Sequence, residues 1–176
     1  MTPPPPPQQQ PPAQPGYGAP VQPAGPAPGI RYASSGARLV AYIIDGFILG
    51  FIVSVIFVIG AIVIGASSSV DSSGSVSTGP AAVIGLLIFL VGLVVGILWK
   101  PWFWSHGGQT PGYRILGMRV LRARDGGPLS FGTAILRFIG YIISALIFYI
   151  GFIWIIFDGR HQGWHDKIAD TLVIQV

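Results

Sequence analysis

Of 176 residues, 51% are hydrophobic and only 9% are charged, against roughly 25% charged in an average soluble domain, so this chain cannot clothe itself in a water-facing surface. The six acids are all Asp, the formal net charge is +4 and Cys is absent, which excludes disulfides, thiolate nucleophiles and thiolate zinc sites. The basic residues flank apolar segments and form no aromatic-interleaved patch, so they fit anionic lipid and not nucleic acid.

Residues 1–30 are Pro, Gln, Gly and Ala with few apolar side chains, a composition that cannot bury enough surface to offset the entropy of ordering. A disordered tail is expected there, partly in polyproline II. Pro3 to Pro7 has no flanking cation to orient docking on a proline-binding domain, and the partners of the tail stay open. The first residues carry neither a basic region nor an apolar stretch, so insertion is expected to use the first long apolar segment.

Residues 31–176 read as one membrane domain. Segment 39–64 is apolar except for Asp45; at 1.5 Å per residue it spans about 39 Å, enough for a hydrocarbon core of about 30 Å. Ser34 or Ser35 is placed to cap it. Residues 66–80 are rich in Ser and Gly, with Asp71 and no cation, and predict an exposed loop. Segment 81–99 is uncharged and about 28 Å long. It runs into Trp99, Lys100, Trp102 and Trp104, the mixture expected where a helix meets headgroups.

The stretch that follows carries Arg114, Arg119, Arg122 and Arg124 between two turns. Residues 115–121 fit a short strand or an interfacial helix, with Gly117 favouring the strand. Ser130 is a candidate N-cap for the third apolar segment, 131–157, which holds Arg137 and is interrupted by Gly151. Two alternatives follow, a single crossing or a helical hairpin. A hairpin returns the tail to the side it left, where the closing strand 171–176 meets strand 115–121. The expected architecture is an all-α membrane bundle of three long apolar segments with a small strand-turn element. The cation asymmetry places the N-terminus and the Arg-rich loop in the cytoplasm.

Three stretches carry a resemblance: Ala37-Arg38-Leu39-Val40-Ala41-Tyr42-Ile43-Ile44-Asp45, then Gly108-Gln109-Thr110-Pro111-Gly112 with Leu116-Gly117-Met118-Arg119-Val120, then His165-Asp166-Lys167-Ile168-Ala169-Asp170-Thr171. In this order they resemble the RDD family of small bacterial multi-pass membrane proteins, named for one Arg and two Asp. The resemblance implies that Arg38 is the Arg, Asp45 the first Asp, and Asp166, or else Asp158, the second. Asp170 departs from the pattern, which has Gly there more often. The family's activity is poorly defined, and the resemblance implies at most transport of ions or small ligands in a bacterial cytoplasmic membrane.

Asp45 is the most informative residue, because an ionisable group inside a span costs roughly 2.5–3.5 kcal/mol and usually faces the bundle interior or a water path. Arg38 shares its helix face but lies about 10 Å along the axis. Arg137 is therefore the expected direct partner. The pair reads either as a proton- or cation-linked site or as an ion pair that fixes helix register. Small residues recur at packing spacing, with Gly46, Gly50 and Ser54 on the first segment, Gly85, Gly92 and Gly96 on the second, and Gly140 and Ser144 on the third. They fit packing within the monomer, or a homo-oligomer, which three helices would need to enclose an aqueous path. His161 and His165 stand near Asp158 and Asp166, but Gly163 and Trp164 interrupt a regular helix, so no metal or other cofactor is expected. Neither Gly pair fits a phosphate loop, and no spacing assembles a nucleophile, base and orienting acid. Two functions remain: a transporter of ions or small ligands built on Asp45, or a non-transporting scaffold or regulator that recruits partners or lipid through tail and Arg-rich loop. Neither is an enzyme.

Overall fold

The computed structural model describes residues 26–27 and 29–176; the expectations for the proline-rich tail fall largely outside them. Strand β1 (Arg31–Tyr32) leads into helix α1 (Ser35–Ala66), capped by the Ser34 hydroxyl, which accepts from the Ala37 amide at 3.2 Å. Helix α2 (Ala81–Ser105) returns antiparallel to it. Both run several residues beyond the apolar segments, and both are long and apolar enough to cross a membrane. A helix closes all its backbone hydrogen bonds within itself, which makes this the natural state of such sequences in hydrocarbon.

Residues 66–80 differ from the expected plain loop: β2 (Ser68–Val70) and β3 (Val76–Thr78) form an antiparallel hairpin. Asp71 tightens its turn by accepting from the Ser73 and Ser75 amides at 2.8 and 3.0 Å. The stretch 115–121 is mostly strand, the reading that Gly117 favours, with only Ile115 helical. A short α3 (Pro111–Ile115) precedes strand β4 (Met118–Arg122).

The third apolar segment is a bent pair and not one straight span. Helix α4 (Phe131–Leu146), started by the Ser130 cap, gives way to α5 (Ile150–Ile153) and a 3₁₀ turn (Trp154–Ile156), with the axis bent by 111°. The break falls at Phe148 and Tyr149, whose φ values of 48° and 60° are left-handed, and not at Gly151. What Gly151 provides is room, since a Cβ there would collide with the Ser144 side chain. Without one, α5 can fold back on α4.

Helix α6 (Trp164–Ile168) and strand β5 (Thr171–Gln175) complete the chain. Strand β5 is the centre of an antiparallel sheet in the order β1-β5-β4, with Val120 opposite Val173 and Arg31 opposite Gln175. The expected pairing of closing strand and inter-span strand is therefore present, with a third strand, β1, on the other edge. The turn into β5 is made by Asp170 at φ 49°, the conformation for which Gly is the usual residue. The apolar core sits at this end, where Ala41, Trp104, Tyr113, Met118, Ala134 and Val173 are buried together. Away from the sheet α1 and α2 touch through Gly60, Gly85 and Gly92, while Gly46 and Gly50 face open space.

Candidate functional site

Two charged centres lie at the sheet end. The first is built on Asp166, which α6 holds wholly buried between α1 and α4. Arg38 Nη2 donates to its Oδ2 at 2.5 Å and Arg137 Nη2 to its Oδ1 at 2.6 Å. The Gly163 amide and the Thr171 hydroxyl supply two further donors at 3.0 and 3.3 Å. Arg38 also donates to the His161 carbonyl. Burial alone would raise the Asp166 carboxyl, but Arg38 and Arg137 outweigh it and hold the group well below the usual carboxylate range. One carboxylate thus ties two helices and the tail together. Beside it His165 is buried against Tyr141 and Phe152, with ring centroids 4.3 and 5.1 Å away; its Nε2 lies 3.4 Å from Asp166 Oδ2, but neither ring nitrogen has a hydrogen-bond partner. Desolvation by burial lowers its pKa to about 3, so the ring is neutral.

The expected Arg137–Asp45 pair is not formed. Arg137 is committed to Asp166 and stacks under Trp104, its guanidinium carbon 4.4 Å from the ring centroid. Position along the segments pairs the two charges in the sequence, but the tail brings a second carboxylate within reach of Arg137. Trp104 is accordingly buried, and not the headgroup anchor it resembled. Asp158, the other candidate for the second Asp, lies toward the surface and pairs with Lys167.

Asp45 forms the second centre. Its Oδ1 accepts from the Gly112 amide at 2.8 Å. A Cβ at Gly112 would collide with the Ala41 carbonyl, so the Thr-Pro-Gly turn reaches the carboxylate only because that residue is Gly. The other oxygen, Oδ2, is buried and has no hydrogen-bond partner. Its nearest cation is Lys100 Nζ at 3.8 Å, an ion pair beyond hydrogen-bond reach. Three rings steady that ammonium, with the centroids of Tyr141, Tyr42 and Trp104 at 5.2, 5.4 and 5.9 Å. Asp45 and Lys100 line a 440 Å³ cavity between α1 and the α5 segment, otherwise lined mainly by apolar groups. Its rim includes Leu39, Tyr149 and Ile156, all exposed, so it opens sideways between the helices. Lys100 and Gly112 were missed as site residues. In sequence Lys100 resembles a headgroup cation and Gly112 a turn residue, although Lys100 is the only formal charge in α2.

Outward from these centres α1 and α2 expose Phe47, Phe51, Ile62 and Leu86 by 63–76%, a continuous apolar surface that only lipid or another apolar body covers. The family model described as the RDD family matches residues 32–170. The uncharacterized protein YxaI of Bacillus subtilis is 34% identical over 145 residues, covering 78% of this chain and 93% of that protein. The chain belongs to the RDD family. It is a membrane protein. A proline-rich antigen homolog of Mycobacterium tuberculosis is 29% identical over 99 residues, 54% of this chain and 41% of that one. An uncharacterized protein of Rickettsia prowazekii is 32% identical over 90 residues, 51% and 50% of the two chains. The RDD protein thus spans half or less of these two relatives. No solved structure matches it.

Proposed function

We propose that this RDD protein is a non-enzymatic transporter of ions or small ligands in the bacterial cytoplasmic membrane, with Asp45 as the residue that engages the cargo. One observation carries the reading: a buried carboxylate with one oxygen unpartnered, on a residue that lines a cavity with an exposed rim. Unsatisfied buried acceptors are costly, and they persist where a ligand, ion or proton completes them. Arg38, Asp166 and Arg137 form the frame and Asp45 with Lys100 the working pair.

The sheet supports a specific topology. Strand β5 pairs with both β1 and β4, which supports a reading with the N-terminal stretch, the inter-span loop and the tail on one side of the membrane. Two crossings, α1 and α2, satisfy this if the α4–α5 pair enters and leaves from the same face. Helix α4, 16 residues long, extends about 24 Å, short of a hydrocarbon core of about 30 Å. Cations gather at the sheet end, and the opposite hairpin has none, which favours a cytoplasmic sheet. A scaffold reading is favoured by one feature, the exposed Arg114, Arg119 and Arg124 on that face, which suit anionic lipid or an acidic partner.

Proteoliposomes carrying the purified full chain test the proposal. Proton, Na⁺ and K⁺ fluxes are expected above those of empty vesicles and are lost in Asp45→Asn, with insertion unchanged. Wild-type flux equal to that of empty vesicles for all three would overturn ion transport. Single cysteines at Ser73 and Gln175 test the topology; labelling of both from one side would overturn it.

A further inference from the structure

We infer that the Asp45–Lys100 cavity binds a neutral amphiphile with a hydroxyl head, its chain lying against the apolar wall and its oxygen bridging the carboxylate and the ammonium. The inference goes beyond transport and concerns the occupant of the cavity. Three observations select the class. First, among the lining residues only Asp45 and Lys100 carry formal charge, one of each sign. The cavity as a whole therefore offers no net charge to an ionic head: an amine meets Lys100 and a fatty acid meets Asp45, each a like charge in a low-dielectric site. Arg38 and Arg137 do not line it and share Asp166 instead. Second, Oδ2 of Asp45 lacks a donor while Nζ of Lys100 stands 3.8 Å away. Oδ2 is closed off, so the head group must part the two side chains slightly to insert an oxygen that accepts from the ammonium and donates to the carboxylate. A hydroxyl does both; a carbonyl or an ether cannot donate. Third, the remaining wall is mainly apolar, with Leu49, Phe152 and Ile155 among its members and Ser35, Tyr42, Tyr141 and Tyr149 adding hydroxyls, in a volume of 440 Å³, within the usual range for small-molecule pockets. The exposed rim opens toward the apolar flank of α1, from which a chain dissolved in the bilayer enters without crossing water. Gly46 also lines the cavity, and a Cβ there would meet nothing within 4 Å, so that position is free to be filled.

The test is photolabelling of the full chain in nanodiscs with four diazirine probes: hexadecanol, hexadecanoic acid, hexadecylamine and a diacylglycerol. Wild-type protein is expected to take hexadecanol at peptides containing Leu49 or Phe152 at least ~10-fold more than the acid or the amine. Diacylglycerol labelling at the same peptides assigns the occupant to a two-chain membrane lipid, and its absence to a single-chain alcohol. Gly46→Leu, whose Cβ meets nothing within 4 Å and whose longer side chain extends into the cavity, should abolish labelling there and leave the melting temperature unchanged or raised. Charge-changing variants give a readout that a structural role would not move: Asp45→Asn should shift preference to the acid and Lys100→Met to the amine. Equal labelling by all heads, or labelling insensitive to Gly46→Leu, would overturn the inference. No labelling at those peptides, as for a cavity holding only water, overturns it too. Labelling reads occupancy and not flux, so binding without flux or flux without binding separates this inference from the transport proposal.

Discussion

Asp166→Asn is the substitution on which the fold should depend most. Asn preserves the shape but leaves Arg38 and Arg137, 1% and 0% exposed, without a countercharge. Removing one partner of a buried ion pair costs about 3–5 kcal/mol; here two guanidinium groups lose the same partner, so about 5 kcal/mol is expected. At about 2–4 °C per kcal/mol for a chain of this size, the melting temperature should fall by roughly 10–20 °C. Intrinsic fluorescence and light scattering of the detergent-solubilised chain measure it. Asp158→Asn is the control, because that carboxylate meets one half-exposed cation, Lys167, and the Asn carbonyl can still accept from the Arg160 and Gln162 amides, so the change should cost about 1 kcal/mol. The combined Arg38→Met, Asp166→Leu, Arg137→Met variant should recover much of the loss, since it removes every buried charge of the cluster. The sign with pH is fixed by the depressed carboxyl of Asp166. Its stabilisation is complete above the ordinary Asp value of about 3.9 and is lost as pH falls through the lower folded value. A loss in Asp166→Asn no larger than in Asp158→Asn would refute the reasoning.

His165, buried neutral with a pKa lowered to about 3 from 6.5, lets the unfolded chain bind the extra proton between those values, so stability should decline from pH 6.5 downward; His165→Gln should flatten the melting profile between pH 6.5 and 4.5, and parallel profiles would contradict this. Gly85→Val places a Cβ 2.8 Å from the Gly60 carbonyl oxygen and should cost about 1–3 kcal/mol in thermal melts, whereas Gly46→Val should cost nothing; equal effects would contradict a close α1–α2 contact at Gly85. Asp170→Gly relieves a left-handed φ of 49° and should gain up to about 1 kcal/mol, read in the same melts; a loss would mean that the Asp170 side chain contributes to the turn.

Local chemistry made much of this molecule legible in the chain alone. Apolar runs longer than a bilayer core announce α1 and α2, Ser34 and Ser130 announce their caps, and a polar break with Gly117 announces strand β4. A charge in an otherwise apolar run likewise marks Asp45 and Arg137 as residues in need of partners, because the cost of burying them is a property of the residue and the segment, whereas Arg38 is marked only by the family resemblance. Which partner each takes depends on tertiary structure. Asp166 lies in a polar tail that reads as surface, and it becomes the hub only because β5 pairs with β4 and brings α6 against α4. Once Arg137 is taken there, Asp45 is left to Lys100, which the end of α2 delivers, and to an amide admitted by the missing side chain of Gly112. The bend after Leu146 is equally a tertiary decision: Phe148 and Tyr149 hold left-handed conformations that neither residue prefers by itself. They are kept there because Gly151 packs against Ser144 and the tail must return to its sheet.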